Sequence, residues 1–114
     1  GEPFDAIICN FSLLEERIAP LLKALASRLA PRGVLYIQTL APQGTKEDSC
    51  SGWRTETFAS MDGQWQPMPY YFRTAEDWRN TLQEAGLRLL QVGEPRDPET
   101  GRVLSLLLVA APAD

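Results

Sequence analysis

The chain has 114 residues, of which 44% are hydrophobic, and it carries eleven Lys and Arg against fifteen Asp and Glu. This length allows one domain, and the composition is that of a globular protein with an apolar core. The net charge of -4 and the lack of a dense Lys/Arg run argue against nucleic acid as a partner. The longest apolar run, residues 103–111, is far shorter than the roughly 20 residues that span a bilayer, and no secretory signal is visible, so we expect no membrane segment.

Two cysteines and no histidine limit the available chemistry. Cys9 falls in a predicted buried strand and Cys50 in a polar loop, so we expect no disulfide and a reducing, cytoplasmic location. The lack of histidine removes the commonest general base and nearly every zinc site, so we expect no metal. Any chemistry would come from carboxylates, from tyrosines or from the positioning of reactants.

The first half of the chain predicts a strand, a helix and a second strand. Residues 4–10 are nearly all apolar, which is typical of a strand buried on both faces in a parallel sheet. An amphipathic helix with Pro20 in its first turn is predicted by apolar residues at steps of four, three and four: Ile18, Leu22, Leu25 and Leu29. We expect Pro31 and Gly33 to stop this helix and a strand to begin at Gly33. This order predicts a right-handed parallel crossover.

Residues 41–70 break this pattern. They are polar and rich in Gly, Pro, Ser and Thr, and Trp53, Phe58 and Trp65 are spaced too irregularly for one helix. A long segment of this kind within a compact domain is usually a functional lid or carries short structure of its own. We therefore expect residues 41–70 to be a lid or insertion in a single domain that spans residues 1–114.

A second helix is predicted after this segment. Thr74 has the hydroxyl of an N-cap, Trp78 and Leu82 give the helix a buried side, and Gly86 is placed to end it. Trp78 is expected in the core.

The C-terminal residues predict an antiparallel hairpin. Residues 87–95 and 103–111 are strand-like, and the segment between them contains the turn residues Asp, Pro and Gly. The last strand is apolar on both faces, whereas the one before it carries Arg88 and Gln91. We therefore expect the last strand inside the sheet and its predecessor at the edge.

The order of these elements resembles the C-terminal half of a class I S-adenosylmethionine-dependent methyltransferase. "LAPRG" is similar to the family's Leu-x-Pro-Gly-Gly turn, with Arg32 in place of the first Gly, and "EAGLRLL" is similar to its Glu-Ala-Gly-Phe segment. The resemblance covers essentially the whole chain. It implies an α/β fold with a partial Rossmann-like sheet of family strands 4, 5, 7 and 6, two main helices and a C-terminal antiparallel hairpin.

The resemblance also implies that part of the sheet is missing. In the family three strands precede the equivalent of residues 4–10, and they carry a Gly-rich turn and an acidic residue that bind the cofactor. No Gly-x-Gly occurs in this sequence. We therefore expect the chain to be the C-terminal part of a methyltransferase domain, a truncated one, whose unpaired first strand favours self-association.

Candidate cofactor contacts follow the first two strands. Ligands of open α/β sheets bind at the carboxyl ends of strands, which places Asn10, Phe11 and Ser12 at one such end and Thr39 at the next. The resemblance implies that these residues bind S-adenosylmethionine, with Asn10 and Phe11 beside its methionine part. The alternative is that Asn10 caps the turn and Phe11 packs under the helix.

Candidate acceptor contacts lie in the lid and before the second helix. The resemblance places Tyr70, Tyr71 and Arg73 where the lid returns toward the site, and Trp53 and Trp65 in the lid itself. We expect them to bind a small-molecule methyl acceptor, with Arg73 pairing with a carboxylate. The alternative is that the aromatic rings fill the core and Arg73 is a solvated charge. No catalytic residue is predicted, because positioning alone accelerates methyl transfer.

The leading hypothesis is methyl transfer from S-adenosylmethionine to a small molecule by the intact protein, with this chain inactive alone. A second hypothesis is a non-catalytic α/β interaction module that associates through its exposed first strand. A nicotinamide-dependent oxidoreductase is disfavoured by the final hairpin and by the lack of a Tyr-x-x-x-Lys pair.

Overall fold

The structure, a computed structural model, describes residues 2–41, 49–56, 63 and 66–113. These residues form a four-stranded sheet, a two-stranded sheet and two helices. In chain order the elements are β1 (Phe4–Asn10), α1 (Ala19–Arg28), β2 (Leu29–Thr39), β3 (Gly52–Glu56), β4 (Met68–Phe72), α2 (Ala75–Glu84), β5 (Leu87–Gly93) and β6 (Leu106–Pro112).

The strand order of the main sheet is β1-β2-β6-β5, which confirms the predicted partial methyltransferase sheet. β1 and β2 are parallel, and β6 is antiparallel to both β2 and β5. Leu106, Leu108 and Ala110 of β6 are all buried. The last strand therefore lies inside the sheet, as its apolar pattern predicts, and β5 lies at the edge.

The predicted start of the second strand at Gly33 is wrong. β2 begins at Leu29, directly after α1, because Leu29 already pairs with Phe4 of β1. The register between β1 and β2 then shifts, so the turn residues that include Pro31 and Gly33 form an irregularity within the strand. A Cβ on Gly33 would lie 2.8 Å from the backbone oxygen of Phe4. Glycine is thus needed where the backbones of β1 and β2 approach closely.

The final strand is shorter than predicted. β6 begins at Leu106, and Val103 forms an isolated antiparallel bridge with Arg96 instead. Asp97 and Gly101 close the turn between these bridging residues, with the Gly101 amide donating to the Asp97 carbonyl over 2.8 Å. The predicted hairpin is confirmed with this change of boundary.

The predicted lid contains two paired strands. β3 and β4 pair in antiparallel register from Gly52–Phe72 to Glu56–Met68, and we call this pair the ribbon. β4 ends at Phe72, two residues beyond the predicted lid boundary. Phe58 and Trp65 lie outside the described residues, as do residues 42–48. The function of this segment as a lid stays a prediction.

The core lies on the face of the sheet that α1 and α2 cover. Thr74 caps α2 by accepting a hydrogen bond from the Asp77 amide over 3.1 Å, and Gly86 ends the helix with a φ of 83°. The buried apolar side chains on this face include Leu22, Leu35, Ile37, Trp78, Leu82, Leu87 and Leu108, which confirms Trp78 as a core residue. On the opposite face Ile8 is 73% exposed and Tyr36 is 39% exposed, so the prediction that β1 is buried on both faces is wrong.

Cys9 is buried and Cys50 is exposed, and both are free, as predicted. No helix within the described residues is long and apolar enough to cross a membrane.

Candidate functional site

The carboxyl ends of β1 and β2 meet at one edge of the sheet. Asn10 ends β1 in register with Gln38 of β2, so Phe11 and Ser12 follow directly beside Thr39. The structure therefore brings the four predicted cofactor residues to the same edge. Their side chains differ in exposure, because Asn10, Phe11 and Ser12 are exposed while Thr39 is only 6% exposed.

Side-chain alternation separates Asn10 from Thr39. Alternate residues of a strand lie on the same face, so Thr39 lies on the face of Leu35 and Ile37, which is the face that the helices cover. By the same rule Asn10 lies on the face of the exposed Ile8. The two polar side chains consequently lie on opposite faces of the sheet. Of these two residues, Asn10 is therefore the one on the face that the helices leave uncovered.

Phe11 has an unusual backbone conformation. Its φ is 53°, in the left-handed region that bulky L-residues seldom adopt, and its side chain is 41% exposed. The Phe11 amide donates to the Gln38 carbonyl over 2.8 Å, which ties the chain after β1 to the end of β2. Strained residues of this kind cluster at functional sites, so Phe11 marks this edge of the sheet as a candidate.

Gln38 is a site residue that sequence reasoning missed. Its carbonyl accepts from Phe11, and its side-chain amide donates to the buried Ser105 hydroxyl over 2.9 Å. This bond connects β2 to the start of β6. A polar residue at the end of an otherwise apolar strand was the available signal.

Cys9 lies beneath the same edge. Burial raises the pKa of the Cys9 thiol, and a side-chain hydrogen bond with Ser12 opposes this shift. The raised pKa keeps the sulfur as a thiol near neutral pH, so Cys9 is a poor nucleophile. Its contact instead holds the Ser12 side chain at the end of β1.

The residues between β1 and α1 form what we call the 11–18 loop, and the ribbon contacts its centre. The Tyr71 amide donates to the Leu14 carbonyl over 2.8 Å. The Trp53 indole N–H donates to the Glu16 carboxylate over 3.1 Å, and the Trp53 and Tyr71 rings meet edge to face at 5.6 Å. Trp53 is 54% exposed, so one part of this aromatic pair faces solvent.

Arg73 follows the ribbon and is only 4% exposed. One guanidinium nitrogen, Nη2, donates to the Glu16 backbone carbonyl, and the guanidinium carbon lies 4.8 Å from the Tyr71 ring centre and 5.4 Å from that of Trp78. The other nitrogen, Nη1, is buried and has no hydrogen-bond partner among the described residues. Burial lowers the pKa of Arg73, while Tyr71, Asp77 and Glu16 favour its charged form.

The aromatic residues predicted to bind an acceptor are placed differently from one another. Tyr70 is 1% exposed and belongs to the buried side of β4, whereas Tyr71 and Trp53 reach the surface. A cleft of about 360 Å³ opens beside Tyr71 and Arg73. It is lined further by residues 16–20 and by Asp77, Thr81 and Glu84.

No protein-family model and no curated protein matches the sequence. Solved structures do match. An S-adenosylmethionine-dependent methyltransferase structure from Listeria monocytogenes has a TM-score of 0.72 at 16% identity over 99% of this chain. The chain has part of the class I methyltransferase fold.

Two further structures share this methyltransferase fold. A Burkholderia thailandensis 1,6-didemethyltoxoflavin-N1-methyltransferase, with bound 1,6-didemethyltoxoflavin and S-adenosylhomocysteine, has a TM-score of 0.68 at 19% identity over all of this chain. A glycopeptide N-methyltransferase in complex with S-adenosylmethionine has a TM-score of 0.68 at 11% identity over 99% of this chain. The chain spans 63%, 46% and 55% of the lengths of these three structures.

Proposed function

We propose that the chain is the C-terminal part of an S-adenosylmethionine-dependent methyltransferase that acts on a small molecule. The observation that carries the proposal is the strand order β1-β2-β6-β5, with an antiparallel β6 placed between two earlier strands. The bound ligands of structures with this fold, S-adenosylmethionine and S-adenosylhomocysteine, support the cofactor. The bound 1,6-didemethyltoxoflavin supports a small-molecule acceptor.

The proposed cofactor contacts are Asn10, Phe11, Ser12 and Thr39. The three exposed residues offer an amide, an aromatic ring and a hydroxyl at the end of β1, and these fit the amino-acid part of the cofactor. Thr39 contributes from the helix-covered face of the sheet, because its side chain is buried there. When bound, the cofactor supplies a methyl group on a positively charged sulfur. The chain's own residues orient it and exclude water.

The proposed acceptor contacts are Trp53 and Tyr71, whose edge-to-face pair is partly exposed beside the cleft. Tyr70 and Arg73 are buried and support this surface from beneath. Because no Gly-x-Gly occurs in the 114 residues, we propose that further strands beside β1 complete the cofactor site. This chain alone is then inactive.

Titration with S-adenosylhomocysteine tests the proposed function. We expect the backbone amide shifts of Asn10, Phe11, Ser12 and Thr39 to move, with a dissociation constant of about 1 mM, which corresponds to about -4 kcal/mol. NADH is the matched control ligand, since it shares the adenosine but lacks the thioether. Localised shifts with NADH alone, or none with S-adenosylhomocysteine up to about 10 mM, would contradict the proposed contacts at the ends of β1 and β2.

A second candidate function rests on the exposed side of β1. This edge strand has no second neighbour among the described strands, and Phe4 is 50% exposed in it. An open apolar edge pairs readily with another strand. The second candidate is therefore an interaction module that associates with another copy of the chain through β1.

Sedimentation velocity over a range of concentrations tests the second candidate. If β1 is the interface, Ile8→Lys should convert dimers to monomers, because a charge on an edge strand blocks pairing. Leu104→Lys is the matched control, since Leu104 is similarly exposed but lies in the hairpin. If the chain sediments as a monomer at about 1 mM, association of two copies through β1 is excluded at cellular concentrations.

A further inference from the structure

The ribbon and the residue after it are bonded to the centre of the 11–18 loop at three points. Tyr71 donates to the Leu14 carbonyl, Arg73 to the Glu16 carbonyl, and Trp53 to the Glu16 carboxylate. The two backbone acceptors are separated by one residue, so these bonds fix the course of the loop. They join residues that are 37 to 57 positions apart in the sequence.

The start of the same loop is held in an unfavourable conformation. Phe11 adopts a φ of 53°, and its amide is bonded to Gln38. Such a backbone persists only where the surrounding structure holds it. Leu13 and Ile18 are almost fully buried and anchor the loop to the core. The hydrogen bonds to Leu14 and Glu16 act between these two anchors.

Arg73 is a costly residue for a purely structural role. The residue is 4% exposed, and one of its guanidinium nitrogens has no hydrogen-bond partner among the described residues. Burying a charged group with one nitrogen unpartnered is unfavourable, and an apolar side chain would avoid this penalty. An apolar side chain could make neither the hydrogen bond to the Glu16 carbonyl nor the cation–π contacts with Tyr71 and Trp78, and of these the hydrogen bond is the one that reaches the 11–18 loop.

We propose that Arg73 and Trp53 are positioning residues that hold the 11–18 loop so that Phe11 and Ser12 face the cofactor. This inference rests on the proposed function, in which Phe11 and Ser12 are cofactor contacts. Trp53 is also a proposed acceptor contact. An acceptor that moves the Trp53 indole therefore changes its bond to Glu16 and, through the loop, the cofactor contacts. The ribbon and the end of β1 act as one unit.

Two substitutions in the free chain test this inference. Arg73→Met removes the charged guanidinium and its hydrogen bond but keeps an unbranched apolar stem, and Trp53→Phe removes the indole N–H together with the five-membered ring while keeping a six-membered ring beside Tyr71. We expect both to shift the amide resonances of Phe11 and Ser12, and we expect the Tyr71 amide to exchange about 10-fold faster, because the loop opens locally. The midpoint of thermal unfolding of Trp53→Phe should stay unchanged.

Glu15→Ala is the matched control. Glu15 is exposed and neighbours Glu16, but it forms no hydrogen bond or ion pair with the described part of the chain. This variant should leave the Phe11 and Ser12 resonances in place. If Trp53→Phe moves only the resonances of residues 14–16, the inference is overturned. The same holds if Arg73→Met lowers the unfolding midpoint while Phe11 and Ser12 stay unchanged. Should Arg73→Met fail to fold, Trp53→Phe decides the outcome.

Titration of the same variants separates this inference from the proposed function. If the parent chain binds S-adenosylhomocysteine, both variants should bind about 3- to 10-fold more weakly, which corresponds to the loss of one well-placed contact. Equal affinities would overturn the positioning role alone. If the parent chain does not bind, the proposed cofactor contacts of this chain fail, and the resonances of the free variants still decide whether the ribbon positions the loop.

Discussion

Replacing Leu108 by Ala is expected to lower the free energy of unfolding by about 2–5 kcal/mol. Leu108 is fully buried in β6, between Ile37 of β2 and Val92 of β5. Truncation leaves a cavity in the centre of the sheet, where neighbouring strands cannot move in to fill it. Because a domain of this size has a stability of about 5–15 kcal/mol, the loss is a large fraction of the total. Thermal unfolding should show a midpoint roughly 10–20 °C lower.

Leu104→Ala makes the same chemical change at a site that is 57% exposed, just before β6 begins. We expect its unfolding free energy to lie within about 0.5 kcal/mol of the parent value. Urea denaturation followed by circular dichroism compares the two variants directly. Equal losses at positions 104 and 108 would contradict the interior position of β6.

The main sheet was predictable because its strands carry local patterns. β6 is apolar on both faces, a pattern that favours an interior position between two other strands. β5 carries Arg88 and Gln91, which favour an edge. The start of β2 was not predictable in the same way. Leu29 fits the apolar stripe of α1 equally well, and its pairing with Phe4 is decided by tertiary contact.

The ribbon could not be derived from the sequence. The burial of β3 alternates only between exposed and half-buried residues, and β4 contains Pro69, which weakens a strand signal. Each strand is stabilised mainly by its partner, and the Asp62-Gly63 turn signal between them does not by itself specify two paired strands. Pairing over such a distance is a property of the whole fold rather than of any short window.

The candidate site, like the fold, was predictable from the sequence only in part. The edge that carries Asn10, Phe11 and Thr39 follows from the parallel arrangement of two neighbouring strands, so the sequence was sufficient to locate it. The burial of Arg73 was not visible, because its hydrogen-bond acceptor, the Glu16 carbonyl, lies 57 positions away. A charged residue after Tyr-Tyr-Phe looks the same in sequence whether its side chain is exposed to solvent or buried in the core.

Gly33→Ala is expected to lower the free energy of unfolding by about 1–3 kcal/mol, because the added methyl group overfills a closely packed site. The new Cβ would lie 2.8 Å from the Phe4 oxygen and 3.0 Å from the Ala30 oxygen, both of them backbone atoms that cannot rotate away. Gly33 is not among the described residues with a positive φ, so the penalty is steric. β1 must move away from β2, and the amide resonances of residues 6–10 should shift along the whole strand.

Gly52→Ala is the matched control for this substitution. A Cβ on Gly52 would meet nothing within 4 Å, and its φ is not positive either. Alanine at position 52 restricts the unfolded chain, so the unfolding free energy should be unchanged or up to about 1 kcal/mol higher. If Gly33→Ala is as stable as Gly52→Ala and leaves the resonances of β1 in place, the close approach of the β1 and β2 backbones is wrong. The position of Asn10 and Phe11 beside Thr39 would then lose its structural basis, since the pairing of β1 with β2 is what places them there.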